Sequence, residues 1–353
     1  MTTDVTVIGG GVVGAAAAHR AATLGASTTL IDARDPGRAT DAGAGIIAPA
    51  INVRDREPWH ALARAAAAAY PDLVGSLGGG DVGYARVGLV VPASDDEDVP
   101  LFDRYRELII DRPGVSDLDP AVALDRHPLL APPRAALWFD DAARVDGRLL
   151  TAALLAAAEA AGAEIVERRV HSLAEVTSPV TIIAGGAWTP RFAEELGVEI
   201  PVAPQKGQIL HLRLPGAPDT GGWPVVGGLR DQYQVSWPGS RVVVGATRET
   251  GSGFDRRVTA GGVRQVLDEA LRVTPGLADA ELLQVRVGLR PLTPDLLPVM
   301  GRAPGRPDVV VVTGHGPSGL TLGPYSGRLA ADLALGHPVD ADLAPFALDR
   351  RWS

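Results

Sequence analysis

Cysteine is missing from all 353 residues, methionine occurs twice, and Lys206 is the single lysine among 33 basic side chains. Without thiols there is no disulfide framework, thiolate metal site, iron–sulfur cluster or cysteine nucleophile. Seven histidines are present, but none shows metal-ligand spacing, so no metal site is expected. Long apolar runs are missing as well. Nothing approaches the roughly 20 apolar residues of a spanning helix. The Ala-rich stretch Leu149–Val166 is broken by Glu159, Gly162 and Glu164 and reads as a surface helix followed by a strand. Basic runs are absent from a chain with 42 acidic residues and a net charge of −9, which argues against nucleic-acid binding. The start, Met-Thr-Thr-Asp, has no basic or long apolar segment, so no signal peptide is expected and the default location is the cytoplasm.

What is present suits a globular enzyme. A hydrophobic share of 46% and this length support one large or two interleaved domains. Asp4–Ile8 reads as a buried parallel strand, Val12–Leu24 as a helix ended by Gly25, and Ser27–Ile31 as a second strand. A second α/β pair follows at Arg148–Ala161 and Ala163–Val166. Short buried strands are expected at Val180–Ala184 and Val309–Thr313, with a helix from Gly319 to Leu335. Between these pieces the pattern changes to half-buried strands at Arg86–Pro92, Gln208–Leu214 and Glu281–Leu289, and a hairpin of Gln232–Trp237 with Arg241–Ala246 around Pro238-Gly239. Asp95–Asp98 reads as a solvated loop or helix start. The predicted class is α/β, with a Rossmann-like cofactor domain (1–84, 140–205, 290–353) and an inserted antiparallel-sheet α+β substrate domain (85–139, 206–289).

Gly9-Gly10-Gly11-Val12-Val13-Gly14 matches G-x-G-x-x-G between a strand and a helix, with Asp32 closing the next strand. Gly9 permits the tight turn, Gly11 lets the backbone approach a pyrophosphate, and Gly14 allows close helix–strand packing. The free amides at the helix start face the phosphates. Asp32 suits the adenosine ribose of FAD or NAD and disfavours the 2′-phosphate of NADP. This unit leaves FAD and NAD both open.

Further blocks resemble the D-amino-acid oxidase family of flavoproteins, above all its glycine oxidase-like members. They are Val7–Arg34, Ala39–Pro49, Val180–Trp188, Pro204–Gln208, Tyr233–Val263, Gly288–Gly301 (GLRPLTPDLLPVMG) and Gly314–Pro324 (GHGPSGLTLGP). The resemblance implies FAD. Its adenine end belongs at Gly9, Gly11, Val12, Val13, Gly14, Asp32, Ala33 and Arg34. Its length runs past Thr40, Asp41, Gly45, Ile46, Val170, Ala184, Gly185 and Trp188. The loop and helix start Gly314, His315, Gly316, Ser318, Gly319, Leu320 and Thr321 lie under the flavin. It also implies hydride transfer from the α-carbon of an amine or amino acid, with Arg290 and Tyr233 holding the substrate carboxylate.

Arg290 stands between Leu289 and Pro291 in an apolar stretch, where a guanidinium needs an anion. The candidates are a substrate carboxylate, which its planar fork suits, and an internal ion pair with Asp295. Arg248 is a second candidate contact for the substrate anion, and Trp223 and Trp237 are candidates for the pocket wall or the core. Members of the family often carry a large aromatic and an arginine where this chain has Gly316 and Pro317, which predicts a roomier pocket. The expected activity is FAD-dependent oxidation of a small amino acid or secondary amine, to an imine that hydrolyses to an oxo acid. Non-covalent FAD is expected, because no cysteine can form a thioether. Expected partners are the amine substrate and dioxygen or another acceptor, with a homo-oligomer open. A 2-hydroxy-acid dehydrogenase and a non-catalytic flavin-binding subunit are the alternatives.

Overall fold

A computed structural model describes residues 3–52, 56–216 and 219–352. The opening strand Val5–Ile8 is wholly buried, as expected for a β-branched run covered on both faces. It pairs in parallel with Thr28–Asp32 on one side and Val180–Ile183 on the other. Glu164–Glu167 adds to the first neighbour and Arg306–Thr313 to the second, both in parallel. Val299–Ala303 closes the six-stranded sheet as an antiparallel edge.

Two helices cover one face of this sheet. Val12–Thr23 buries Ala15, Ala16, Ala17, Ala18, Ala21 and Ala22. Gly319–Ala334 packs on it so closely that a Cβ on Gly327 would lie 2.2 Å from the Val13 carbonyl oxygen. Small residues on both helices let the backbones approach, which pins the loops at the two N-termini side by side.

Among the described residues the second sheet has nine strands. Ala203–Arg213 lies antiparallel to Glu281–Leu292 and to Arg241–Gly245, and Tyr233–Trp237 follows as the other arm of the hairpin. Val225–Gly227, Leu89–Ala93, Ala135–Phe139 and Val115–Leu118 continue it, with one parallel junction between Val225–Gly227 and Leu89–Ala93. The long strands run past the expected domain breaks at 205/206 and 289/290, so Gln205 and Arg290 face each other in register on the second sheet.

The acidic tract stands at a helix start, one of its two expected readings, with Asp98 the N-cap residue of Val99–Ile109. Asp96 and Glu97 are exposed, but Asp98 is buried and paired with Arg272 at 2.8 Å and Arg230 at 3.1 Å. These two arginines compensate the carboxylate and let it lie inside. Helices at Glu57–Ala68, Tyr70–Ser76, Pro120–Arg126 and Ala260–Val273 are additions to the elements expected from sequence.

Candidate active site

A cleft runs from the end of Thr28–Asp32, across the two helix N-termini, to the face of the second sheet. At its first end the chain turns at Gly9 with φ +108°, where a Cβ would sit 2.5 Å from the Ala184 carbonyl oxygen. A Cβ on Gly14 would lie 1.8 Å from the Gly9 oxygen, so Gly14 stands behind the wall and sets helix–strand contact. Gly11 is different, since its Cβ would meet only Thr40 Oγ1 at 3.4 Å. It faces open space, and the helix begins there with no side-chain cap. The Val12 amide donates to Thr40 Oγ1 at 3.3 Å, and Val12 and Val13 both line the cleft.

Asp32 and Ala33 line the same end. Arg38 donates to Asp32 at 2.6 Å and pairs with Asp41 at 3.0 Å. Sequence reasoning named Arg34 here, and the structure places it elsewhere. Its φ of +48° turns the chain, and its guanidinium pairs with Glu167 at 2.9 Å outside the cleft wall. Arg38 was missed; its position three residues before Asp41 in one turn was the available signal. Asp41 itself lies behind the wall, held by Arg38.

In the middle of the cleft lie Thr40, Gly45, Ile46, Val170, Ala184, Gly185 and Trp188. Gly45 adopts φ +100°, and a Cβ there would approach the Val145 oxygen to 2.4 Å. The loop after Arg306–Thr313 supplies His315, Gly316, Gly319 and Leu320 to the wall. Gly314, Ser318 and Thr321 act from behind it. Gly314 turns the chain at φ +77°, the Ser318 amide donates to the His315 oxygen at 3.0 Å, and Thr321 donates to the Ile46 oxygen at 3.3 Å. The helix Gly319–Ala334 has no side-chain cap at its start. His315 is buried, burial lowers its pKa to about 4, and its Nε2 has no hydrogen-bond partner among the described residues.

At the far end Arg290, Tyr233, Arg248 and Asp231 line the cleft together. The Arg290 guanidinium lies flat on Gly207, where a Cβ would be 2.5 Å from Nη1, and it donates to the Thr247 oxygen at 3.1 Å. Withdrawal from water lowers its pKa; the facing Tyr233 hydroxyl opposes that and Arg248 adds to it. An Arg290–Asp295 pair does not form, because Asp295 is held by Arg350 at 2.8 Å. Among the described residues Arg290 has no ion-pair partner. Arg248 pairs with Asp231 at 3.0 Å on the rim. Trp223 and Trp237 are not part of the wall. Trp237 is buried against Gly45 and Gly83, and Trp223 packs against His127 with the rings 4.8 Å apart and tilted by 50°.

Sequence reasoning also missed a buried knot behind Arg290. Lys206 is 1% exposed and pairs with Glu249 at 3.1 Å and Asp255 at 3.3 Å. Glu249 also accepts from Gln208 and from Thr247 Oγ1, each at 2.7 Å. Burial raises the Glu249 pKa, but these donors outweigh it and leave the group lowered. The knot fixes Thr247, whose carbonyl orients Arg290. Among the described residues no cluster of His, Asp or Glu is placed to hold a metal, and no helix is long and apolar enough to cross a membrane.

A family model described as DAO, FAD dependent oxidoreductase, matches residues 4–333. The chain belongs to this family. The uncharacterized oxidoreductase YurR of Bacillus subtilis (strain 168) is 40% identical to it, over 96% of this chain and 97% of its own. Among solved structures, iminodiacetate oxidase from Chelativorans sp. BNC1 matches with a TM-score of 0.91 at 37% identity, over 98% of each chain. Glycine oxidase from Geobacillus kaustophilus matches with a TM-score of 0.90 at 31% identity, over 99% of each. The cleft of this DAO-family chain fits FAD. It offers two uncapped helix starts for anionic groups, an open face at Gly11, an acidic residue at the strand end, and a buried imidazole nitrogen in need of a partner.

Proposed function

We propose that the chain oxidises the α-carbon of a small amino acid or secondary amine, with FAD bound non-covalently. The observation that carries this reading is Arg290, a guanidinium in the cleft wall without a carboxylate partner among the described residues. An amino-acid carboxylate completes it. The names of the glycine oxidase and iminodiacetate oxidase relatives support the same donor class.

Asp32 would hold the adenosine ribose, the amides from Gly11 onward the pyrophosphate, and the Gly314–Leu320 segment the far end of the cofactor. Bound FAD supplies the two-electron acceptor. Arg290 and Tyr233 fix the substrate carboxylate, so that the α-C–H bond has one orientation in the cleft. The α-hydrogen leaves with its bonding electrons, the nitrogen lone pair forms C=N, and a nitrogen-bound proton goes to water. Hydrolysis of the imine gives the oxo acid and an amine. The uncapped helix start at Gly319 favours negative charge developing above it.

The test is anaerobic flavin bleaching with glycine, sarcosine, D- and L-amino acids and 2-hydroxy acids, followed by air and peroxide detection. Bleaching by an amine is expected; bleaching by hydroxy acids alone refutes the reading. Arg290→Leu should raise KM by about 100-fold or more, the loss of a charged bidentate contact, while the flavin spectrum persists. Unchanged kinetics would remove Arg290 from the site.

A further inference from the structure

The wall of the cleft holds more positive charge than one α-carboxylate needs. Arg290 and Tyr233 together supply donors for both oxygens of a single carboxylate. Arg248 lines the same end, one residue beyond the Thr247 carbonyl that Arg290 grips. The segment therefore brings a second guanidinium to the same end of the cleft. Its present partner, Asp231, is 69% exposed, sits on a left-handed turn with φ +63°, and lines the rim. Exposed ion pairs of this kind are weak and exchange readily with other anions. Elsewhere in the same cleft wall, Gly316 and Pro317 bring no bulky or charged side chain. The rim thus has a cation and a displaceable carboxylate.

We infer that Arg248 is a specificity-determining residue that exchanges Asp231 for a second carboxylate of the substrate, making dicarboxylic amines the preferred donors. This rests on the α-carboxylate being held by Arg290, as proposed above. Two carboxylates joined through C–N–C lie about 5 Å apart, and with the first on Arg290 the second would be presented to Arg248 on the same wall. On binding, Asp231 turns out to water, and the substrate's second carboxylate takes its place beside Arg248. A monocarboxylic amine such as glycine or sarcosine leaves the Arg248–Asp231 pair in place and gains nothing from it.

The experiment compares kcat/KM for iminodiacetate and sarcosine in the holoenzyme, Arg248→Gln and Asp231→Asn. The native ratio should favour iminodiacetate. Arg248→Gln should lower that ratio about 10- to 100-fold, the effect of one charged hydrogen-bonding contact. Asp231→Asn should raise it several-fold, because the competing internal anion is gone. Arg248→Lys should fall between the native enzyme and Arg248→Gln, which keeps the test open if Arg248→Gln folds poorly. Binding is read separately through the flavin absorbance, with thiodiacetate and (methylthio)acetate as unreactive mono-sulfur analogues. Thiodiacetate should bind more tightly, and Arg248→Gln should erase the difference. A ratio indifferent to both substitutions, or a native preference for sarcosine, overturns the inference and leaves the amine-oxidase reading standing. If no amine bleaches the flavin, that broader reading fails, and the two thioethers still decide whether Arg248 takes a second carboxylate.

Discussion

Arg290 and Arg38 differ in how much of their surroundings lie next to them in the chain. Leu289 and Pro291 make Arg290 conspicuous, because an arginine in an apolar stretch demands an anion. The choice between substrate and Asp295 was beyond the sequence, since it depends on Arg350, 55 residues away, occupying that carboxylate. Arg38 reaches Asp32 only because Arg34 and Gly37 adopt positive φ and fold the segment back. Lys206 was visible as the only lysine, but its two carboxylates come from a separate strand and loop. Its place behind Thr247 makes a residue-scale prediction. Lys206→Met leaves Glu249 without its cation and should destabilise the protein by about 1–3 kcal/mol. It should also raise the KM of the amine substrate through a shifted Thr247 carbonyl. Urea unfolding and steady-state kinetics check the two parts, and a variant with native KM would separate the knot from Arg290.

Among the elements, the βαβ unit and the terminal strand–helix pair were legible. Their burial is continuous, and glycines punctuate them. Val115–Leu118 was not legible. It is an edge strand paired on one side only, with Ser116 and Asp117 exposed, so no alternation marks it. The long strands extend beyond the expected Gln208–Leu214 and Glu281–Leu289, and the added residues Pro204 and Pro291 lie in register opposite one another. Glycine roles in the first turn separate at this scale. Gly14→Ala drives a Cβ into the Gly9 oxygen and should cost about 3 kcal/mol or more of stability. Gly11→Ala meets only Thr40 Oγ1 and should change apoprotein stability by less than about 1 kcal/mol, while retaining little flavin on purification. Thermal unfolding of the apoproteins and the flavin-to-protein absorbance ratio distinguish them. Equal stability loss in both would refute the assignment of Gly11 to the cofactor face.

For the molecule as a whole, the alternation of chain segments between two sheets followed from the change of hydrophobic period along the sequence. The excursions of Leu89–Phe139 and Ala203–Leu292 into the second sheet leave strands 5–32, 164–183 and 299–313 to build the first. What the sequence hid is how charge is distributed in depth. His127, His211 and His315 all have pKa values lowered to about 4, chiefly by burial, with Arg286, Arg148 and Arg241 adding to the effect at His211. These groups are neutral in the fold and protonated in the unfolded chain below about pH 6.5. Stability should therefore be retained above that pH and fall between about 6.5 and 4. Within the window the slope is about 1.4 kcal/mol per pH unit for each fully buried histidine. Urea midpoints across pH 4–8 test this, and His127→Gln should flatten the slope. A midpoint that stays level from pH 6.5 to 4.5 would contradict the burial of neutral imidazoles.

The sealed position of Lys206 also governs how the molecule meets reagents. Its ammonium lies inside, between Glu249 and Asp255, and there is no other lysine and no cysteine. Amine- and thiol-directed dyes, crosslinkers and resins thus find no side chain to attack on the folded protein.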